Sequence, residues 1–190
     1  MKTYNHLITA LILLNVLFII GCSNPSSTEV EDNRSAGVEV GKEQGQAFIS
    51  DEASAPNILN IAVKSADHST LVAAVQAADL ENALVNAGPL MVFAPTNAAF
   101  DALPEGTVES LLKPENKDAL ANILKYHVTP GNYDKEFLKK FKKLGQANDQ
   151  SVSVDVDGDD VYVGGAKIIA SIPASNGIIH VVDKVILPPQ

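Results

Sequence analysis

The sequence contains only one cysteine, Cys22, among its 190 residues. A single cysteine excludes an internal disulfide, a Cys-x-x-Cys redox pair and a cysteine zinc cage. The four histidines show no paired spacing of metal ligands, and no phosphate-binding glycine loop of the usual kind is present. We therefore expect no metal and no cofactor.

Positive charge is also scarce. Fourteen Lys and Arg residues stand against 23 Asp and Glu residues, which gives a formal net charge of −9. Such an acidic balance argues against general nucleic-acid binding, because that binding needs cations to neutralise phosphates. Hydrophobic residues make up 46% of the chain and charged residues 19%, which excludes a collagen-like or wholly disordered protein. The composition suits one globular domain with some additional sequence.

The amino terminus has the pattern of a secretory signal. Lys2 is followed by an apolar run over 7–20, which is too short for a confident membrane span. Ile19-Ile20-Gly21-Cys22 resembles the lipobox of bacterial lipoproteins, and this resemblance implies that 1–21 is a signal peptide and that Cys22 becomes the acylated first residue. Two or three acyl chains hold a protein firmly to a bilayer, whereas one does not. Ser23 after the cysteine favours the outer membrane over the inner one, by the same resemblance.

A flexible acidic tether is predicted to follow the lipidated cysteine, so that the two together span 22–54. Residues 23–54 are rich in Ser, Gly and Asn and carry seven carboxylates against Arg34 and Lys42. They show no apolar periodicity and cannot bury enough surface to offset their chain entropy. Binding of calcium or a basic partner by these acids is a weaker alternative, because runs of charge are usually solvated. The folded domain is predicted over 55–190.

The domain changes from helical to strand patterns along its length. Capped helices are predicted near 57–63 and from Asp67 or Ser69 onward, with further helical segments near 97, 107–112 and 115–125. The other pattern is that of β-strands: an apolar run at 90–94, alternating residues around a turn at 157–160, and later β-branched runs at 166–172 and 178–187. Helices followed by a sheet predict an α+β domain.

Three motifs in this domain resemble those of the fasciclin family. Val-Phe-Ala-Pro-Thr-Asn-Ala-Ala-Phe at 92–100 is similar to the first family signature, and the segment 176–188 to the second. Tyr126-His127-Val128 lies between them and matches the tyrosine–histidine motif. The resemblance implies a β-wedge or sandwich packed with several short helices, outside the cytoplasm. It also implies adhesion rather than catalysis, so we do not expect an enzyme.

The tyrosine–histidine motif suggests one binding site. In animal members of the family this motif and its aliphatic neighbours are implicated in receptor binding, so the resemblance extends that suggestion to Ile123, Leu124, Tyr126 and His127. The alternative is that these side chains belong to the core, because Ile123, Leu124 and His127 fall at helical spacing with Leu120.

A run of lysines suggests a second site. Lys135, Lys139, Lys140, Lys142 and Lys143 surround Phe137, Phe141 and Leu144, which fall at helical spacing. Such a basic amphipathic stretch on an acidic protein could contact anionic lipid, acidic polysaccharide or an acidic partner. The simpler interpretation is the solvated face of a packed helix.

The sequence as a whole predicts a lipid-anchored protein of the cell envelope, either periplasmic or exposed at the surface. Its predicted function is adhesion or protein recognition, and its predicted partner is an unknown surface protein or glycan. The alternative is an envelope binding module that takes an acidic polysaccharide or a small ligand through the segment from Lys135 to Lys143.

Overall fold

The computed structural model describes residues 55–86 and 88–189, and these form one domain. The predicted signal peptide 1–21, Cys22 and the whole of the predicted tether lie outside the described residues.

Short helices occupy most of the first half of the domain. Asn57 begins the first of them by accepting a hydrogen bond from the Asn60 amide at 2.8 Å, and Thr96 caps α4 in the same way at 3.3 Å. Both caps agree with the sequence pattern. The α-helices of the described residues are α1 Ile58–Lys64, α2 Ser69–Ala77, α3 Glu81–Asn86, α4 Asn97–Asp101, α5 Thr107–Leu111, α6 Lys117–Tyr126 and α7 Lys135–Leu138, with 3-10 turns at Ala66–His68 and Pro114–Asn116.

The strands form one mixed sheet whose order is β2-β1-β7-β6-β5-β4-β3. β1 and β7 run parallel, and the other neighbouring strands are antiparallel. The sheet therefore joins the first strand of the domain directly to the last. The strands are β1 Leu90–Pro95, β2 Val128–Pro130, β3 Lys143–Gly145, β4 Ser151–Asp157, β5 Asp160–Val163, β6 Ala166–Ala174 and β7 Gly177–Val182.

The two parallel strands are buried on both faces, which explains their continuous apolar sequences. On β1, Val92 and Ala94 face a core shared with the helices, whereas Met91 and Phe93 face a second core inside the curved sheet. β7 alternates in the same manner between the two cores. The predicted α+β class is confirmed, with a central parallel pair as its spine.

The two edges of the sheet approach one another and almost close it. The Ala147 amide donates to the Val128 carbonyl at 2.7 Å, and Thr129 Oγ1 donates to Gln146 Oε1 at 3.0 Å. Both Thr129 and Gln146 are buried. Near closure satisfies backbone groups that an open sheet edge would leave unpaired.

Two local predictions were wrong. The amino terminus of α2 is not capped by Asp67 or Ser69, because Asn97 Oδ1 accepts the Thr70 amide at 3.1 Å from another helix. The lysine-rich stretch is not one amphipathic helix either, since α7 ends at Leu138 and Lys143 begins β3. Leu138, rather than Phe137, is the fully buried residue of α7.

Candidate functional site

The tyrosine–histidine motif lies at the end of α6, and its side chains point into the domain. Leu124, Tyr126 and His127 expose 7%, 4% and 3% of their surfaces, and Ile123 is half-buried. The Tyr126 hydroxyl donates to the Ser151 carbonyl at 3.1 Å, which ties α6 to β4. Burial raises the pKa of Tyr126. These contacts make the motif a structural connection between helix and sheet.

His127 uses both ring nitrogens inside the protein. Its Nε2 accepts the Ile186 amide at 3.0 Å, so Nδ1 carries the proton and donates to the Ile123 carbonyl at 2.9 Å. The backbone carbonyl of His127 accepts the Phe93 amide at 2.9 Å. Burial lowers the pKa of His127 to about 4, although the Ile123 carbonyl opposes this shift. The ring is therefore neutral at pH 7 and joins α6, β1 and the C-terminal segment.

These positions change the expectation of a partner site at the motif. Direct contact through Tyr126 or His127 would require the domain to open, because their polar atoms are already paired and buried. Ile123 is the most accessible aliphatic residue of the four predicted positions, and partner binding there stays a prediction.

The five lysines of the predicted basic segment separate into two groups. Lys139 pairs with Glu136 at 2.9 Å and with Asp159 at 3.7 Å, and the hydrogen bond to Glu136 is the main reason that its pKa is raised. Lys135 lies 3.9 Å from Asp160. Lys140, Lys142 and Lys143 are exposed and make no ion pair with any residue that the structure describes. These three cations thus remain for an external anion.

An aromatic cluster accompanies these three lysines. The Tyr133 and Phe137 rings stack with centroids 5.4 Å apart, and Phe141 lies 5.2 Å from Tyr133 and 5.5 Å from Phe137. Phe137 exposes 42% of its surface, although a large aromatic side chain is usually more buried. Lys140 Nζ sits 4.7 Å from the centre of the Phe137 ring, a cation–π distance.

We call this feature the aromatic–lysine surface. It consists of Tyr133, Phe137, Lys140, Phe141, Lys142 and Lys143. A groove of about 340 Å³ lies at one side of this surface, where Tyr133, Phe141 and Lys143 are among its lining residues. Tyr133 lies outside the predicted basic segment. Its spacing of four residues from Phe137, repeated from Phe137 to Phe141, is the sequence signal that could have identified it.

A second buried histidine, His180 on β7, has a different set of partners. Its Nε2 donates to the Tyr133 carbonyl at 2.9 Å, and its Nδ1 accepts from Ser171 Oγ at 2.8 Å. Its ring stacks on Phe93 with centroids 5.9 Å apart. Burial is the main cause of its lowered pKa. His180 therefore fixes the loop that carries Tyr133, next to the aromatic–lysine surface.

Ser171 and His180 also resemble the start of a nucleophilic dyad. Acyl-transfer chemistry would in addition need donors aimed at a developing oxyanion. Ser171 is an exposed residue in the middle of β6, where it pairs across the strands with His180 itself. The arrangement is explained by satisfaction of a buried ring nitrogen.

The domain offers neither a metal site nor a membrane span within the residues described. Across 55–86 and 88–189, no group of three or more His, Cys, Asp or Glu side chains is placed to hold a metal ion. Within the same ranges, no helix has the length and apolar character needed to span a bilayer.

Comparison with known proteins identifies the family. The fasciclin domain family matches residues 66–188, which is most of the chain. The chain belongs to the fasciclin domain family. The resemblance of its three motifs is thereby confirmed.

Individual relatives of this fasciclin domain extend the comparison. Protein sll1483 of Synechocystis sp. is 51% identical over 138 residues, which cover 72% of this chain and 76% of the relative. Human periostin is 32% identical over 124 residues, which cover 64% of this chain but only 15% of periostin. The structure of a FAS1 domain pair from the insect cell adhesion molecule Fasciclin I matches with a TM-score of 0.62 and 17% identity, over 70% of this chain and 51% of the other. That likeness confirms the predicted fold, and membership of the family supports a role in adhesion or recognition.

Proposed function

We propose that this fasciclin domain is an adhesion module of the cell envelope that recognises an acidic glycan through the aromatic–lysine surface. The observation that carries the proposal is the combination of Lys140, Lys142 and Lys143, which lack ion-pair partners in the described domain, with a stacked and partly exposed aromatic cluster.

The two kinds of side chain suit the two faces of an acidic sugar. Carboxylate or sulfate groups are attracted by the lysines, and the apolar face of a sugar ring packs on an aromatic side chain. The groove that contains Tyr133, Phe141 and Lys143 brings both kinds of contact together. Because the net charge of the chain is −9, the lysines also give this surface a local charge opposite to that of the rest of the protein.

Protein recognition through Ile123 is the other candidate, and the structure favours it less. Its neighbours Leu124, Tyr126 and His127 are buried, so the exposed apolar area there is small. Interfaces usually depend on a few large, well-packed anchors. Ile123 alone offers one half-buried aliphatic side chain.

The anchor of the proposed module is the lipid on Cys22, for which the lipobox-like sequence Ile19-Ile20-Gly21-Cys22 is the support. A tether over 23–54 would span about 30 Å on average, from about 5–6 Å times the square root of its length. The domain would then stand clear of the membrane surface. The lipid anchor itself would lie in the outer membrane rather than in the inner one. Cys22→Ser should move the protein from the membrane fraction to the soluble fraction of the envelope.

The glycan proposal is tested with the full lipidated chain in phosphatidylcholine vesicles. Binding of alginate, a uronic-acid polymer, is measured against uncharged dextran at low and at physiological salt. Lys140→Glu, Lys142→Glu and Lys143→Glu together should weaken alginate binding at least tenfold, and salt should weaken binding by the native protein.

The matched control reverses Lys64, Lys113 and Lys184, which are exposed, lie outside this surface and change the net charge by the same amount. It should retain alginate binding. Equal weakening in the two triple variants would overturn the proposed surface in favour of non-specific charge. Absence of alginate binding, together with binding of a protein partner that Ile123→Glu abolishes, would favour protein recognition instead.

A further inference from the structure

A second feature, separate from the aromatic–lysine surface, is a cavity between the helices and the sheet. Its volume is about 200 Å³, and α1, α2 and α3 cover it on one side while β1 and β7 form the other. Most of its lining is aliphatic. Representative lining residues are Ile58, Leu71, Val75, Leu84, Val92 and Ile179.

A cavity of this size is unusual in a well-packed domain. Protein interiors contain few voids larger than a water molecule, because an empty space deprives its walls of dispersion contacts. Water does not fill such a space well, since an aliphatic wall offers it too few hydrogen-bond partners. An engineered apolar cavity of about 150 Å³ stays dry and binds benzene. The cavity described here is larger and equally suited to a hydrocarbon group.

The polar residues of the lining indicate which polar head group a bound hydrocarbon chain would carry. His127 has both ring nitrogens occupied within the protein, so it offers no polar atom to the cavity. Among the described lining residues, Lys125 is the one that carries a charge at pH 7. It is exposed, so the cavity reaches the surface at this side chain. Lys125 makes no ion pair with the described residues, and the described lining contains no acid.

We propose that this cavity binds the alkyl chain of a medium-chain fatty acid, whose carboxylate pairs with Lys125. By comparison with benzene in about 150 Å³, the volume suits a chain of about six to eight carbon atoms. The aliphatic wall supplies the affinity for the chain, and the single cation at its edge selects an anion over a neutral or cationic head.

The experiment uses octanoate as the probe and the full chain held in amphipol, free of detergent. Methyl NMR signals of Leu84 and Val92 report occupancy of the cavity itself, so partition of octanoate into the amphipol does not imitate binding. Octanoate should shift these signals saturably. Octylamine, which has the same chain and the opposite charge, should bind at least tenfold more weakly.

Two variants distinguish the contribution of the carboxylate head group of octanoate from that of its alkyl chain. Lys125→Glu should weaken octanoate binding at least tenfold and leave octanol binding unchanged, whereas Lys113→Glu, the same change at an exposed lysine elsewhere, should alter neither. Ala62→Leu places a larger side chain in the cavity wall and should abolish binding of both ligands without lowering thermal stability. If that variant fails to fold, Leu84→Phe, read at Val92, replaces it.

Unshifted methyl signals would overturn the proposal, as would octanoate binding that persists in the filled variant. Equal affinity for octanoate and octylamine, or an unchanged affinity in Lys125→Glu, would overturn the role of the lysine. None of these results bears on alginate binding, because Lys125 and the cavity lie outside the aromatic–lysine surface.

Discussion

At the scale of single residues, burial sets the protonation state of His180. The ring is fully buried and its pKa is lowered, so it is neutral: Nε2 donates to the Tyr133 carbonyl, and Nδ1 accepts the Ser171 hydroxyl. An aspartate at position 171 would instead accept a hydrogen bond from a protonated Nδ1 and so stabilise the charged ring. The residue at 171 therefore influences whether a neutral or a charged ring is favoured beneath the loop that carries Tyr133.

Ser171→Asp should raise the pKa of His180 by about one unit or more, because an opposite charge next to the ring favours its charged form. Ser171 is exposed, so the new carboxylate can keep part of its hydration. The pKa is measured by NMR titration of the His180 ring signals. Ser171→Asn is the control, since it keeps a polar group without charge. Equal pKa values in the two variants would show that the carboxylate does not reach the ring.

At the scale of secondary-structure elements, the sequence predicted those whose signals are local. The continuous apolar run of β1 and the capped helix near 57–63 follow from neighbouring residues, and the structure confirms them. The predicted cap of α2 was wrong because the actual acceptor, Asn97, lies 27 residues away from the Thr70 amide in the sequence. The prediction of one helix over the lysine-rich stretch was wrong for a different reason. Apolar residues at helical spacing do not show that α7 ends after 4 residues and that β3 begins soon afterwards.

The parallel pairing of β1 with β7 depends on Gly177. A Cβ atom built there would lie only 1.8 Å from the Leu90 carbonyl oxygen, so the two backbones approach too closely for a side chain. The preceding residue completes this junction, since Asn176 Oδ1 accepts the Ile58 amide and its Nδ2 donates to the Leu84 carbonyl. Asn-Gly is a typical tight-turn pair, but the local sequence does not reveal that this pair joins β1, α1 and α3.

Gly177→Ala should therefore lower the free energy of unfolding by more than about 4 kcal/mol, because one of the two strands must shift. Gly165→Ala is the matched control. Gly165 also has a positive φ of +80°, but a Cβ atom at that position would meet nothing within 4 Å, so its cost should be only the backbone strain of about 1–2 kcal/mol. Urea unfolding measures both variants. Similar decreases would mean that backbone strain, and not the close approach to Leu90, is what Gly177 relieves.

At the scale of the whole molecule, two cores and a nearly closed sheet arise from contacts that are remote in sequence. His127 shows this dependence best, because it hydrogen-bonds the Ile186 amide 59 residues away and its carbonyl pairs with β1. The sequence identified the residue and its motif, and left open whether it was a ligand or part of the core. Only the arrangement of three distant segments around the ring decides in favour of a buried structural role.

Acid should destabilise the domain through its buried histidines. Burial is the main cause of a lowered pKa at His68, His127 and His180, so the unfolded chain binds protons more readily than the folded domain. A lowered folded pKa gives stability that is complete above the unfolded value of 6.5 and is lost as pH falls toward the folded value. For His127 the difference between 6.5 and about 4 corresponds to about 3 kcal/mol.

The contribution of His127 can be isolated with His127→Gln. This variant should be less stable than the native protein at pH 7. The difference in unfolding free energy should shrink by up to about 3 kcal/mol as pH falls to about 4, because only the native protein loses the stability that its buried neutral imidazole contributes. Tyr126→Phe removes a neighbouring buried hydrogen bond without a group that titrates in this range, so its cost should not change with pH. Urea unfolding at several pH values between about 7 and about 4 gives all three free energies. A constant difference for His127→Gln would mean that the ring keeps an ordinary pKa, and that the three segments meeting at it separate readily enough to admit a proton.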